Sequence, residues 1–161
     1  MRHAGHPSAN VRHSVAVAIP GAAGDPPSPR AVAALIALSA DPDSEARDWA
    51  TFGLGTQFAD EDNDAIRDAL AARLDDPDGD TSGEALLGLA LRHDPRALPV
   101  LLACLDDDPG NLVVEAAAAL GSPEALPALQ RLKREGWQLD DARPSVLDDA
   151  LRACATKEQP G

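Results

Sequence analysis

The segment DPDSEARDWATFGL, residues Asp41 to Leu54, returns 35 residues later as DPDGDTSGEALLGL, Asp76 to Leu89, and is preceded at the same interval by HPSANVRHSVAVAI, His6 to Ile19. The three copies carry their proline at Pro7, Pro42 and Pro77. A fixed step of this length marks a repeat architecture in which each copy is one supersecondary unit. A fourth copy, DPGNLVVEAAAAL from Asp108, has one residue fewer between Pro109 and its helix.

Between the copies lie apolar segments of matching length, SPRAVAALIALSA, NDAIRDALAARLD and DPRALPVLLACLD, and SPEALPALQRLKRE closes the series. Each unit is therefore expected to be a pair of helices. Ser28, Asn63, Asp94 and Ser122 stand where a side-chain oxygen caps the first free backbone N–H groups, and Pro29, Pro95 and Pro123 follow where a missing N–H costs nothing. Asp43 is the corresponding cap of the Asp41 copy. Gly55, Gly121 and Gly136 follow apolar segments and are expected to end helices in the left-handed conformation.

Composition agrees with an all-α chain. Of 161 residues 44% are hydrophobic, yet there are only two Trp, two Phe and no Tyr, so the core is Ala, Leu and Val, which suits close helix packing better than a β-sandwich. The length fits one domain, residues 1–161, built of units at about 6–40, 41–75, 76–107, 108–136 and 137–155, with 156–161 as a frayed tail. This makes an α-solenoid of about four and a half antiparallel helix pairs, each buried by its neighbours.

The balance of 14 basic against 27 acidic residues gives −13, which repels nucleic acid and anionic lipid. Cys104 and Cys154 sit in Ala/Leu-rich helical contexts and read as free buried thiols, pointing to a reducing compartment. The N-terminal stretch has no apolar signal region and no run approaches the roughly 18 apolar residues of a membrane span. A cytoplasmic protein without a membrane partner is expected.

The sequence resembles the HEAT-repeat family in its short bacterial form, related to the repeats of phycobilisome lyases. The resemblance rests on Asp-Pro, an Arg five residues later (Arg12, Arg47), and small and aliphatic residues leading to Leu-Gly, and it runs from about His6 to Ala155. Ser82 replaces that Arg in the third unit, and Val113 or Val114 in the fourth, so an Arg ladder joining units is expected to break halfway. The chain also opens on what reads as the second helix of a pair. It is then either a piece of a longer repeat protein or covers that helix by contact with something else, self-association included.

Within the copies, Val11, Val15, Ala18 and Ile19, then Ala46, Ala50, Gly53 and Leu54, form one apolar stripe expected to pack inward. Trp49 falls outside the stripe. Its counterparts are Ser14, Glu84 and Glu115, so it belongs to the exposed wall lined by successive helices of this type, the concave wall in the resembled family. Either the ring covers a gap left by small neighbours, or Trp49 is an apolar anchor in an acidic groove, since Trp is enriched among residues dominating interface energy. Phe52 corresponds to Val17, Leu87 and Ala118 and reads as a half-buried rim. The candidate partner-binding residues are Trp49, Phe52, Asp48, Ser14, His13, Glu84, Leu87 and Glu115. They suit a protein or peptide that places Arg or Lys beside a hydrophobic side chain.

Catalytic, cofactor and metal roles find no pattern. Asp60–Asp64 has the alternate-acid spacing of a calcium loop, but Ala65 and Ala71 replace its Gly and bidentate Glu, and Asp75–Asp80 fails with Leu87 at the Glu position. His3, His6, His13 and His93 complete no ligand set. Trp137 falls in a turn before the last helix, where its ring is expected to cover the end of the solenoid. The expected function is a non-catalytic interaction scaffold. The resemblance implies an alternative, bilin attachment as in phycobilisome lyases, and more remotely a nucleic-acid role as in HEAT-like DNA glycosylases, which the acidic charge opposes.

Overall fold

Capping chemistry decides where the helices begin. In the computed structural model, which describes residues 4–107, 109–137 and 145–155, nine α-helices and no strand occur among the described residues. They are α1 (Ala9–Ala22), α2 (Pro29–Leu38), α3 (Ser44–Phe52), α4 (Asp64–Ala71), α5 (Gly79–Leu91), α6 (Ala97–Asp106), α7 (Asn111–Leu120), α8 (Leu126–Glu135) and α9 (Val146–Ala155). Asp43, Asn63 and Asp78 accept the N–H of Ala46, Ile66 and Thr81 at 3.0, 3.0 and 2.9 Å, and Ser28 accepts that of Ala31 at 3.3 Å. Pro29 fills the first position of α2.

Two expected caps differ. Asp94 accepts the N–H of Arg96, one residue ahead of α6, and so braces the preceding turn. Ser122 opens the 3₁₀ turn Pro123–Ala125 without a side-chain cap bond.

Gly121 (φ 59°) and Gly136 (φ 76°) end α7 and α8 in the left-handed conformation. Gly55 does not end its helix this way. It lies inside a π-helical turn, Gly53–Gln57, that continues α3 and closes with the Phe58 N–H on the Gly53 carbonyl at 3.0 Å. The reason is a close backbone approach: a Cβ on Gly55 would stand 2.9 Å from the Glu84 carbonyl oxygen, and one on Gly88 would stand 2.6 Å from the Gly55 Cα.

The odd-numbered helices α1, α3, α5, α7 and α9 stack directly on one another, whereas α2, α4, α6 and α8 touch sparingly along the other side. Two layers with equal repeat but unequal spacing curve toward the closely spaced one, so the odd helices form the inside of an α-solenoid. Leu35, Ile66, Leu86, Leu101 and Leu129 are among the fully buried side chains between the layers. No helix among the described residues is long and apolar enough to cross a membrane.

The stripe expected to pack inward is buried in α3 and the π turn that continues it, at Ala46, Ala50, Gly53 and Leu54. Of the stripe in α1 only Ile19 is buried, Val11 and Val15 are half-buried, and Ala18 is exposed. Gly53, the counterpart of Ala18, presses on Leu35 and Pro20 of the preceding pair. Ala18 lacks a preceding pair among the described residues, which explains its exposure.

Arg12 and Arg47 each reach forward to the aspartate of the next Asp-Pro segment. Arg12 grips Asp41 at 2.6 and 2.8 Å, and Arg47 grips Asp76 at 2.8 and 3.0 Å, both bidentate and largely buried. Each Arg also donates to its own unit's loop, Arg12 to the His6 carbonyl and Arg47 to the Asp41 carbonyl, both at 2.9 Å. Ser82 instead donates to the Gly79 carbonyl of its own helix, and Asp108 lies outside the described residues. At the following joint Trp137 donates its indole N–H to the Pro109 carbonyl at 2.9 Å. Its ring, partly buried against the core, thus ties one loop to the preceding one.

Cys154 is buried as expected, its thiol donating to the Ala117 carbonyl at 3.5 Å. Cys104 is half-buried, on the sparsely packed outer layer. His3 and the tail 156–161 lie outside the described residues.

Candidate binding cleft on the inner layer

Trp49 is held on α3 by the register that buries Ala46 and Ala50, which leaves the indole on the helix face turned away from the core. It is 40% exposed, one of three large exposed hydrophobic residues among those described, with Val17 and Leu91. Phe52 meets it edge to face, with centroids 5.7 Å apart and planes at 87°. His13 on α1 approaches from the other side at 6.3 Å and 60°.

Next to this pair a cleft of about 270 Å³ runs across three odd helices, lined by Asp48, Trp49 and Phe52 of α3, Asp80 and Glu84 of α5, and Leu112 of α7. Five of the lining positions carry carboxylates or rings, and Leu112 closes the far end. Of the sequence-predicted residues, Asp48, Trp49, Phe52 and Glu84 meet here.

The others do not line the cleft. Leu87 is 7% exposed and belongs to the core, because α5 is packed between α3 and α7 where the first helix, with Val17 exposed, is not. Ser14 donates to the Asn10 carbonyl within α1 at 2.8 Å. Glu115 stands just outside, accepting from the Asn111 amide at 3.3 Å, and His13 is joined only through Trp49.

Asp80 and Leu112 escaped the sequence reading. Asp80 precedes Glu84 by four residues on one helix face, a usable signal. Leu112 enters because Gly83, the counterpart of Asp48, has no side chain: a Cβ there would lie 2.8 Å from Leu112 Cδ1.

The carboxylates are unusual for a chain of such charge. Burial pushes the Glu84 carboxyl up to about 7, and the negative charges of Asp48, Glu115 and Asp80 add to this, against the Thr56 hydroxyl that donates to Glu84 at 3.1 Å. Burial likewise raises Asp48 to about 6, with Asp78 and Asp80 contributing. Asp48 Oδ1 is buried without a hydrogen-bond partner, as is Asn111 Oδ1 on α7. Two half-buried acids beside an exposed indole form a site that a cation with an apolar stem would stabilise on both counts.

Arg92, at the end of α5, has no sequence signal pointing to its role, since its counterparts in the repeat are Gln57 and Ala22. It is 6% exposed and donates to the carbonyls of Leu54, Gly55, Phe58, Glu61 and Gly88 at 2.7 to 3.0 Å. The π turn offers the Leu54 and Gly55 carbonyls, the segment after it those of Phe58 and Glu61, and α5 that of Gly88, and one guanidinium bonds them all. This clamp fixes the segment carrying Trp49 and Phe52 against the helix carrying Glu84.

The family model for HEAT repeats matches residues 32–121. Protein YibA of Escherichia coli strain K12 is 35% identical over 125 residues, covering 74% of this chain and 42% of YibA, and the O157:H7 protein matches equally. The X-ray structure of YibA superposes with a TM-score of 0.74 at 31% identity, covering 94% of this chain and 51% of that one. The chain thus spans about half the length, or less, of the relatives it matches. With the helix-pair repeat, the Asp-Pro joints and the match over more than half of its residues, the chain belongs to the HEAT-repeat family.

Proposed function

We propose that the protein is a non-catalytic interaction module whose inner face receives a protein segment bearing basic and apolar side chains. The observation that carries this reading is Trp49, 40% exposed at the mouth of a cleft lined by Asp48, Asp80 and Glu84. A stack of helix pairs offers an extended inner surface suited to such segments. An aromatic anchor supplies affinity, and the carboxylates around it select against acidic partners.

Fluorescence anisotropy with labelled peptides tests the reading. Peptides alternating Arg or Lys with Leu should bind at about 0.15 M salt, and Glu/Leu peptides of the same length should not. Trp49→Ala should weaken binding by tenfold or more, as expected for loss of a buried interface Trp worth about 2 kcal/mol. Equal binding by wild type and Trp49→Ala would overturn it, since attraction by net charge alone would then account for the signal.

A further inference from the structure

Resting on the interaction-module reading, we infer that the cleft between α3, α5 and α7 is a socket for a single arginine side chain of the partner segment. Its size sets the first limit. About 270 Å³ falls below the roughly 300–1,000 Å³ of small-molecule sites and is suited to one long side chain.

The polar groups set the second. Asp48 and Glu84 come from the adjacent inner helices α3 and α5, and Asp48 Oδ1 is buried with no donor. Leaving such an acceptor unpaired is costly, so the occupant must bring N–H groups into the cleft. A guanidinium presents five donors in a plane and can address carboxylates on two helices together, while a compact ammonium concentrates its donors at one point.

The apolar lining sets the third limit. The exposed Trp49 ring, braced edge-on by Phe52, offers a face on which a planar, weakly hydrated cation stacks, and Leu112 lies where an aliphatic stem would pass. A metal ion fits poorly: no group of three His, Cys, Asp or Glu among the described residues could hold one. An acidic side chain would meet the lining carboxylates in a half-buried site.

The test uses the full chain and two probes, acetyl-Leu-Arg-Ala-amide and acetyl-Leu-Lys-Ala-amide, titrated while the Trp49 indole N–H resonance is followed by two-dimensional NMR. Trp137→Phe assigns the second indole signal. The expected result is a saturable Trp49 shift, threefold or more tighter for the arginine probe, and at least threefold weakened by Glu84→Gln. That variant keeps the acceptor for Thr56 and should retain the wild-type circular dichroism spectrum; Asp48→Asn serves as a second variant. A preference below threefold, no saturable shift, or affinity unchanged in both variants would overturn the socket.

The two readings fail separately. Longer peptides that depend on Trp49 but accept lysine as readily as arginine leave the interaction module standing and remove the socket. Saturation by the arginine probe, with no Trp49-dependent binding of longer peptides, keeps the socket and removes the module.

Discussion

Helix α5 faces α3 on one side and α7 on the other, and the two joints are built from different chemistry. Toward α3, the contact is backbone against backbone at Gly55 and Gly88, overlaid by the Arg92 clamp and flanked by the Arg47–Asp76 pair. Toward α7, Leu112 sits in the space left by Gly83, and the position of the ladder arginine is Ser82. One repeat unit thus carries a polar, geometrically exacting joint and a plastic apolar one. Equal period in sequence does not mean equal bonding in space.

The largest expected effect comes from Arg92→Met. Five carbonyls lose a charged donor in a buried setting, and urea unfolding should show a loss of about 3 kcal/mol or more. A loss near that of Leu112→Ala, which removes a half-buried aliphatic side chain and should cost about 1–2 kcal/mol, would erase the contrast between the joints. Gly88→Ala follows: with 2.6 Å between the new Cβ and Gly55 Cα there is no flexible neighbour to yield, and about 2–3 kcal/mol of strain is expected by the same measurement.

Asp76→Asn should cost about 1–2 kcal/mol at neutral pH by weakening the bidentate pair with Arg47. The hydrogen bonds from Arg47 hold the Asp76 carboxyl below its ordinary range, so its contribution is present above about pH 4 and lost as pH falls through the lowered folded value. Unfolding curves for wild type and variant should therefore converge in acid. A gap that does not narrow as pH falls below about 4 would show that the ladder acts through shape and not charge.

The smallest effect, and one of opposite sign, is expected in the cleft. Folded Glu84 holds its proton up to about 7, whereas the unfolded chain releases it near 4.5, so the native state binds more protons between these values and loses stability as pH rises through that window. Glu84→Gln should be neutral near pH 4.5 and stabilising above pH 7 by on the order of 1 kcal/mol, once partial solvent exposure is discounted. Thermal unfolding at the two pH values checks this. No gain at pH 8 would mean that Glu84 is solvated enough to ionise without cost.

Much of this architecture was legible because helix-pair repeats announce themselves locally. Pro7, Pro42 and Pro77 fixed the period, Asp43, Asn63 and Ser28 fixed helix starts, and the odd placement of Trp49 among Ser14, Glu84 and Glu115 singled out the site. What stayed hidden depends on contacts between units. Gly55 looked like a helix end because composition cannot distinguish a left-handed cap from a close backbone approach. Arg92 gave no signal because its acceptors are carbonyls, which every residue carries. Leu112 became a lining residue only through the absence of a side chain at Gly83, and Leu87 left the site because α5 has a helix on both sides where α1 does not.

The Arg92 clamp has a mechanical corollary. A stack of helix pairs bends by small tilts between neighbours, and tilting α5 away from α3 would break several hydrogen bonds at once, whereas tilting α7 against α5 slides aliphatic surfaces. Resistance to bending therefore has two sources, directional hydrogen bonds across α3 and α5 and extensive apolar packing between α5 and α7. A segment lying along the inner face would find Trp49 and Glu84 spaced by the hydrogen-bonded joint and Leu112 held by side-chain packing alone.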